Sequence, residues 1–576
     1  MADGGHVRST LAVVSALESV VLRSFGPSGG LVLFTRDSGE VLLTRHGQKI
    51  LRSLHVEHPI CRMVLDCIQA HCTMAADGSK SFLILLASLL RRIHAQSKTC
   101  RDISNTRARQ LANQLLHLCH NGLDDVILRQ VTPCVSSLYM SGYHGDILEG
   151  LVGGYVAGRV AICQVEVLTR VICQFFWKWH MGQAMAKTVR YIHRNFPFLH
   201  STVSGLPIGQ SCVQEGLLLG CDWTVFFENC SKEPIRVLIL INNEFAIDDA
   251  VSVFDNCIYD SHAIGRRLCM CVEELDVFVL LSPVKCPDIL LQWAIQKQVC
   301  VAECVEPPLL DLLSQLSQSQ AATVGRVTMV TSVSYAVLGG HRLACVGLIP
   351  SYPYGNSEHL LHPHTLLLCA PGPGPLDQCA SVCEGVFTML YSVFEAEHTV
   401  TALNQSLNSH TDQSEEMSHN PASYSPMKSK NTVPVSAPAP DQWHWLLCAG
   451  RVVPVGGVFE VLLHHFLLSS DWLAEPQVRS ILTESVLDLP RMLHFHKPRL
   501  FVQFQASLLN KLRFGPSHQP CSGALESVSC KQQLLVSVLQ CVCKLLSVDH
   551  ILHTHTPVNT LLHTTKTTHS DKEDED

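Results

Sequence analysis

The chain has 576 residues, 47% of them hydrophobic and only 16% charged, with a net charge of −8. That length sets an expectation of about three or four domains. The charged fraction falls below the roughly 25% of ordinary soluble proteins, so a large core is expected, with some apolar surface left for partners. The acidic balance, with no long Lys/Arg run, excludes a general nucleic-acid binder, which needs a basic stripe.

The segment up to about residue 130 reads as mainly helical. Leu11, Val14, Leu17, Val21 and Leu22 recur at helical spacing, and the breaker pair Gly26–Pro27 ends the run. Residues 31–35 and 40–44 flank the turn residues Asp37, Ser38 and Gly39, which predicts a hairpin. A helix follows over 60–72. Another opens after Asp77, whose carboxylate suits an N-cap. The apolar run 81–90 stops at about ten residues, short of the roughly 18 of a membrane span, and reads as a buried helix. In the middle of the chain, 237–241 reads as a buried strand. Residues 277–281, 288–296 and 299–304 read as a βαβ unit. From 398 to 442 the composition turns to Ser, Asn, Thr and Pro, which predicts a disordered insertion. Helical patterns return to about residue 552, and an acidic tail closes the chain at 571–576. The order is helical, then α/β, then helical, as when two halves of one domain embrace another.

Twenty-six cysteines are scattered through apolar stretches. With no secretory leader read from the small, polar first residues, they are expected to be reduced, buried thiols. Zinc is not expected: Cys269/Cys271 and Cys541/Cys543 are spaced CxC, without a second pair at zinc-knuckle distance. No GxSxG elbow supports a serine nucleophile.

Two glycine-containing loops carry the chemistry. One runs Phe25-Gly26-Pro27-Ser28-Gly29-Gly30 after a helix; the other runs Ala76-Asp77-Gly78-Ser79-Lys80-Ser81 into one. Small residues let backbone N–H groups approach a phosphate, and a helix N-terminus adds partial positive charge. Asp77 suits Mg²⁺ beside the phosphates. Lys80 and the hydroxyls of Ser79 and Ser81 suit the phosphates themselves. Taken singly, each loop is also explained by a turn with an Asp cap. A third cluster, Val453-Pro454-Val455-Gly456-Gly457, precedes a helix containing Glu460.

The order of these pieces is what is specific. Phe25-Gly26-Pro27-Ser28-Gly29 resembles the LGPKG loop of group II chaperonins, and Val56-Glu57-His58-Pro59 resembles their VEHPAAKM. Ala76–Ser81 sits where they carry GDGTT. Val453–Gly457 with Glu460 resembles PGGGAVE, and Leu489-Pro490-Arg491 looks like IPRTLAEN. The resemblance spans nearly the whole chain. It implies an α+β multidomain, group II chaperonin-like fold: a helical equatorial domain (1–130 and 443–552), an intermediate domain (131–213 and 341–397) and an α/β apical domain (214–340). The insertion (398–442) and a flexible acidic tail (553–576) stand outside that frame.

For ligands, the resemblance implies ATP and Mg²⁺, with Gly26, Pro27, Gly29, Asp77, Gly78, Ser79, Lys80, Ser81, Gly456 and Gly457 at the nucleotide and Asp77 at the metal. For a role, the details nearest a ciliary branch of the superfamily imply assembly of the BBSome with other chaperonin-like and cytosolic chaperonin subunits, in the cytoplasm and at the ciliary base, with BBSome subunits as clients. The family's NDG aspartate aligns with His46, and its late carboxylate aligns with Gly385; Glu384 would point about 100° away on a helix. Hydrolysis needs positioned water and charge stabilisation, so at most a weak chaperonin-type ATPase is expected. The other readings are a scaffold that has lost ATP and an active foldase. The span 241–275 is too short for the family's full helical lid.

Overall fold

A computed structural model describes residues 5–548 except 27–28, 36–40, 76–77, 98–103, 140–145, 181–184, 229–233, 241–260, 323–324, 349–362, 412–445, 447–448, 471–474 and 516–522. Pro27, Asp77 and the acidic tail therefore lie outside the described residues, as does most of the 398–442 segment.

The two ends of the chain form one helical body. The N-terminal half supplies α1 (Gly5–Leu22), the hairpin β1 (Val32–Thr35) and β2 (Val41–Thr44), α2 (Gly47–Arg52), α3 (Pro59–Ala75) and α4 (Ser79–Ser97). The expected hairpin is present, with Val32 paired to Thr44 in an antiparallel register. From α4, residues Phe82 to Leu90 are buried without a break. A helix apolar on every side must sit inside a bundle, and α4 is wrapped by α1, α5 (Ser104–Leu118) and helices from the far end of the chain. The path from α5 continues through a π turn (Cys119–Leu123), the short α6 (Asp124–Val126), a second π turn (Ile127–Val131) and α7 (Thr132–Tyr139). The boundary expected at residue 130 thus falls inside a continuous helical path.

The middle third leaves this body and returns. Outward run α8 (Ile147–Ala157), α9 (Ile162–Trp179) and α10 (Met185–Asn195), then β3 (His200–Ser204) and β4 (Cys212–Glu215). Return comes through β12 (His364–Ala370), which pairs parallel with β3 and antiparallel with β4. Every residue of β12 is buried, as a central strand covered on both faces requires. The boundary expected at 213/214 cuts through β4.

Between those strands lies an α/β unit built on β5 (Leu217–Leu218), β6 (Ile235–Ile239), α11 (Ser261–Glu274), β7 (Val279–Leu281), α12 (Asp288–Lys297), β8 (Cys300–Ala302), α13 (Pro307–Leu316), β9 (Gln320–Ala322), β10 (Gly325–Leu338) and β11 (His341–Leu348). The sheet order is β5-β11-β10-β6-β7-β8, with β9 also on β10. Strands β6, β7 and β8 run parallel, confirming the βαβ reading. Their alternate residues serve two cores: Val237, Val279 and Cys300 face one, while Leu238, Leu280 and Val301 face the helices α11 and α12. Strands β10 and β11 form a hairpin turning at Gly339–Gly340. The boundary expected at 340/341 divides that hairpin, so β11 stays with this sheet. Thr365 of β12 ties the two sheets together, its hydroxyl donating to Gly216 O (2.9 Å) and accepting from Leu218 N (3.1 Å).

Helix α14 (Pro373–Thr411) re-enters the helical body and runs past residue 398, where the composition predicts disorder to begin. Then come β13 (Val452–Pro454), α15 (Val458–Ser469), α16 (Pro476–Leu493), α17 (Pro498–Phe514), β14 (Leu525–Ser527) and α18 (Val528–Ser547). Strands β13 and β14 pair with Val452 opposite Ser527, which brings residues about seventy apart into one corner.

Candidate functional site

A cavity of about 800 Å³ opens where both ends of the chain meet the outgoing helix α8. Its volume lies within the roughly 300–1,000 Å³ of small-molecule sites. Three backbone features shape it. The first is the end of α1, where Gly26 follows the last turn and Gly29 N donates to Gly26 O (3.1 Å). The second is the N-terminus of α4, where Gly78 precedes Ser79, Lys80 and Ser81. The N–H groups of Ser79 and Ser81 have no acceptor within the helix, because the first intrahelical bond runs from Phe82 N to Gly78 O (2.7 Å). Gly78 has φ of +93°, and a Cβ there would meet His71 Nε2 at 3.1 Å and Leu534 Cδ1 at 3.3 Å. Only glycine suits that backbone and that space. The third is the turn after β13, where Gly456 reaches the cavity and Gly457 starts α15, packed closely on Pro490.

Cationic groups surround these loops. Lys80 Nζ donates to Ser24 O at 2.6 Å, so its side chain crosses beneath the first loop. Arg45 is 5% exposed; it donates to Gly26 O (3.0 Å) and Val160 O (3.4 Å), and burial lowers its pKa. Arg159 lies over the Tyr155 ring at 3.6 Å, a cation–π contact. On the opposite wall, Lys531 Nζ bridges Glu460 Oε1 (2.9 Å) and Glu526 Oε2 (3.0 Å). Burial opposes the charge on Lys531, but the two carboxylates outweigh it and hold its pKa well above the lysine range. Glu460 Oε2 is buried without a hydrogen-bond partner among the described residues. The cavity therefore combines an anion-binding rim of helix N-terminus and cations with an acidic corner. A polyphosphate carrying a hydrogen-bonding organic group matches both. No cluster of three or more His, Cys, Asp and Glu side chains among the described residues surrounds a metal position; Asp77 lies outside those residues.

Residues 17–131 match the TCP-1/cpn60 chaperonin family. Along its whole length the chain is similar to the "BBSome complex assembly protein BBS10" of Homo sapiens, 24% identical with 100% of this chain and 99% of the relative covered. The protein of the same name from Mus musculus is also 24% identical, covering 96% and 98%. The "Thermosome subunit alpha" of Thermoplasma acidophilum is 25% identical over a quarter of the chain and 28% of its own length. This is a chaperonin-like chain.

In this chaperonin-like frame the expected residues divide. Gly26, Gly78, Ser79, Lys80, Ser81 and Gly456 all line the cavity. Gly29 and Gly457 shape its loops from behind, without lining it. His46, in the place of a family carboxylate, does line it; the ring caps α2, with Nδ1 accepting from Lys49 N at 3.4 Å. At Gly385 a Cβ would overlap the Tyr155 hydroxyl and approach Cζ to 2.9 Å, so the chaperonin-like chain has filled that space with a phenol. Glu384 is exposed and acts electrostatically on His193, away from the cavity. Sequence reasoning missed Arg45, Arg159, Glu526 and Lys531. None lies in a loop motif; Lys531 and Glu526 reach the site only because β13 pairs with β14. No helix among the described residues is long and apolar enough to cross a membrane.

Proposed function

We propose that this chain is a chaperonin-like chaperone that assists BBSome assembly together with other chaperonin-like and cytosolic chaperonin subunits. BBSome subunits are its clients. It works in the cytoplasm and at the ciliary base, in support of ciliogenesis and ciliary trafficking. The full-length similarity to proteins named for BBSome assembly supports the partner. The single observation that carries the ligand is the cavity that gathers Gly26, Gly78, Ser79, Lys80 and Gly456 from three distant segments.

The ligand of that cavity is a nucleotide, ATP with Mg²⁺ at Asp77. The N-terminal turn of α4 and Lys80 hold the phosphates, as charge-assisted hydrogen bonds to phosphate require. Glu460 accepts a hydrogen bond from the organic part. The bound nucleotide supplies a phosphoanhydride, but His46 and the Tyr155-filled space at Gly385 replace two carboxylates that would place water and charge at it. Turnover is therefore at most that of a weak ATPase, and the ligand serves chiefly to hold the three loops together. Titration calorimetry with Mg-ATP and the full chain tests this. Saturable heat is expected, lost in Asp77→Ala and weakened in Lys80→Ala. No heat in the wild type overturns the nucleotide reading and favours a scaffold in which Lys80 alone closes the loop onto Ser24.

A further inference from the structure

His71 stands apart from its neighbours on α3. That helix buries Val64, Ile68, Cys72 and Ala75, all apolar, yet places an imidazole among them at 2% exposure. Burying a polar ring costs free energy unless it is hydrogen-bonded, and a leucine would fill the stripe without that cost. The ring is held from one side by α18: His71 Nδ1 and Ser537 Oγ share a hydrogen bond of 3.2 Å. Ser537 Oγ is itself fixed, accepting from Gln533 Nε2, one turn earlier on α18, at 3.3 Å.

On its other side the ring meets the first turn of α4 at both ends. Nε2 lies 3.1 Å and Cδ2 3.8 Å from where a Cβ on Gly78 would stand. The ring also packs on Phe82, with centroids 5.7 Å apart and planes tilted by 44°. Gly78 and Phe82 are the two residues that close this turn, through the bond from Phe82 N to Gly78 O. Residues i and i+4 of a helix lie one above the other, so a single imidazole supports the whole turn. The same turn leaves the N–H groups of Ser79 and Ser81 without intrahelical acceptors.

We propose that His71 is a positioning residue of the cavity: it fixes the turn of α4 that presents those N–H groups to phosphate, and Ser537 of α18 holds its ring in place. Helix α18 also carries Lys531 to the cavity and sets Leu534 against Gly78. The anion-binding rim and the acidic corner are thus kept in register through one helix. The phosphate role of the turn rests on the nucleotide reading above; the link from α18 through His71 to Gly78 does not.

Titration calorimetry of the full chain with Mg-ATP tests the role. His71→Leu keeps the bulk and removes the hydrogen bond, while Ser537→Ala removes the bond and leaves the imidazole. Each should weaken Mg-ATP binding by up to about tenfold, the size of one hydrogen bond. The double variant should bind no more weakly than His71→Leu, because both changes break the same link. Ser537→Thr, which keeps the hydroxyl, should bind as the wild type does. Wild-type affinity in Ser537→Ala, additive losses in the double variant, or a Ser537→Thr as weak as Ser537→Ala overturns the proposal. A wild type that gives no heat defeats the nucleotide reading instead, and a second measurement then decides the positioning role by itself. Amide hydrogen exchange of Phe82 in the unliganded chain should be faster in Ser537→Ala than in the wild type. Unchanged exchange overturns the proposal whatever the cavity binds.

Discussion

Lys531 is the residue on which the acidic corner of the cavity depends. It sits between Glu460 and Glu526 with only 22% of its side chain exposed, and Glu460 is 4% exposed. Removing one member of a buried ion cluster leaves the others charged and desolvated, at a cost of about 3–5 kcal/mol. Lys531→Met should therefore destabilise the chain by about that amount, measured by denaturant unfolding, and adding Glu460→Gln should recover part of the loss. If Lys531→Met were neutral, the cluster would have to be open to water. Neither the pairing nor its burial was legible in the sequence, where Glu460 lies about seventy residues from Glu526 and Lys531. Gly26, Gly78, Ser79 and Lys80 were legible, because the backbone chemistry they serve is local: a helix end, a left-handed turn and a helix start.

At the scale of elements, α8 and α14 decide what the cavity can do. Tyr155 of α8 fills the space beside Gly385 of α14, so a carboxylate cannot simply be restored there. Overpacking of this kind costs about 1–3 kcal/mol. Gly385→Asp should lower the thermal midpoint, and Tyr155→Ala should relieve it, so that the double variant loses less than the sum of the single ones. Additive losses would mean the two side chains do not meet. The sequence placed the buried strand β6 and the strands β7 and β8 of the βαβ unit, since all three are short apolar runs. The expected limits of larger pieces cross elements. The boundary at 130 falls within a helical path carried through two π turns, and the one at 340 divides the β10–β11 hairpin. Composition is continuous across both positions; only the backbone hydrogen bonds of the π turn and of the hairpin show that the chain has not yet left the element.

For the whole molecule, the histidines set a pH dependence. Burial lowers the pKa of His180, His193 and His464; Glu384 partly offsets this at His193, as Glu484 does at His464. A folded-state pKa below the unfolded value of about 6.5 means that protonation favours the unfolded chain. The stability these groups contribute is present above about pH 6.5 and lost as the pH falls through their lowered values. Thermal midpoints should fall between pH 7.5 and 5.5, and His464→Gln should flatten that slope. A midpoint unchanged across the range would show that these rings are solvated.

By itself the sequence determined the helical–α/β–helical order, the buried α4 and the phosphate-type loops, because these follow from periodicity, turn chemistry and motif order within short stretches. Tertiary structure decided the rest. Pairing of β13 with β14 brought Glu460, Glu526 and Lys531 to one wall, and α8 closed the space at Gly385. Each of these joins residues far apart in the chain, and a contact of that kind exists only once the intervening core has packed.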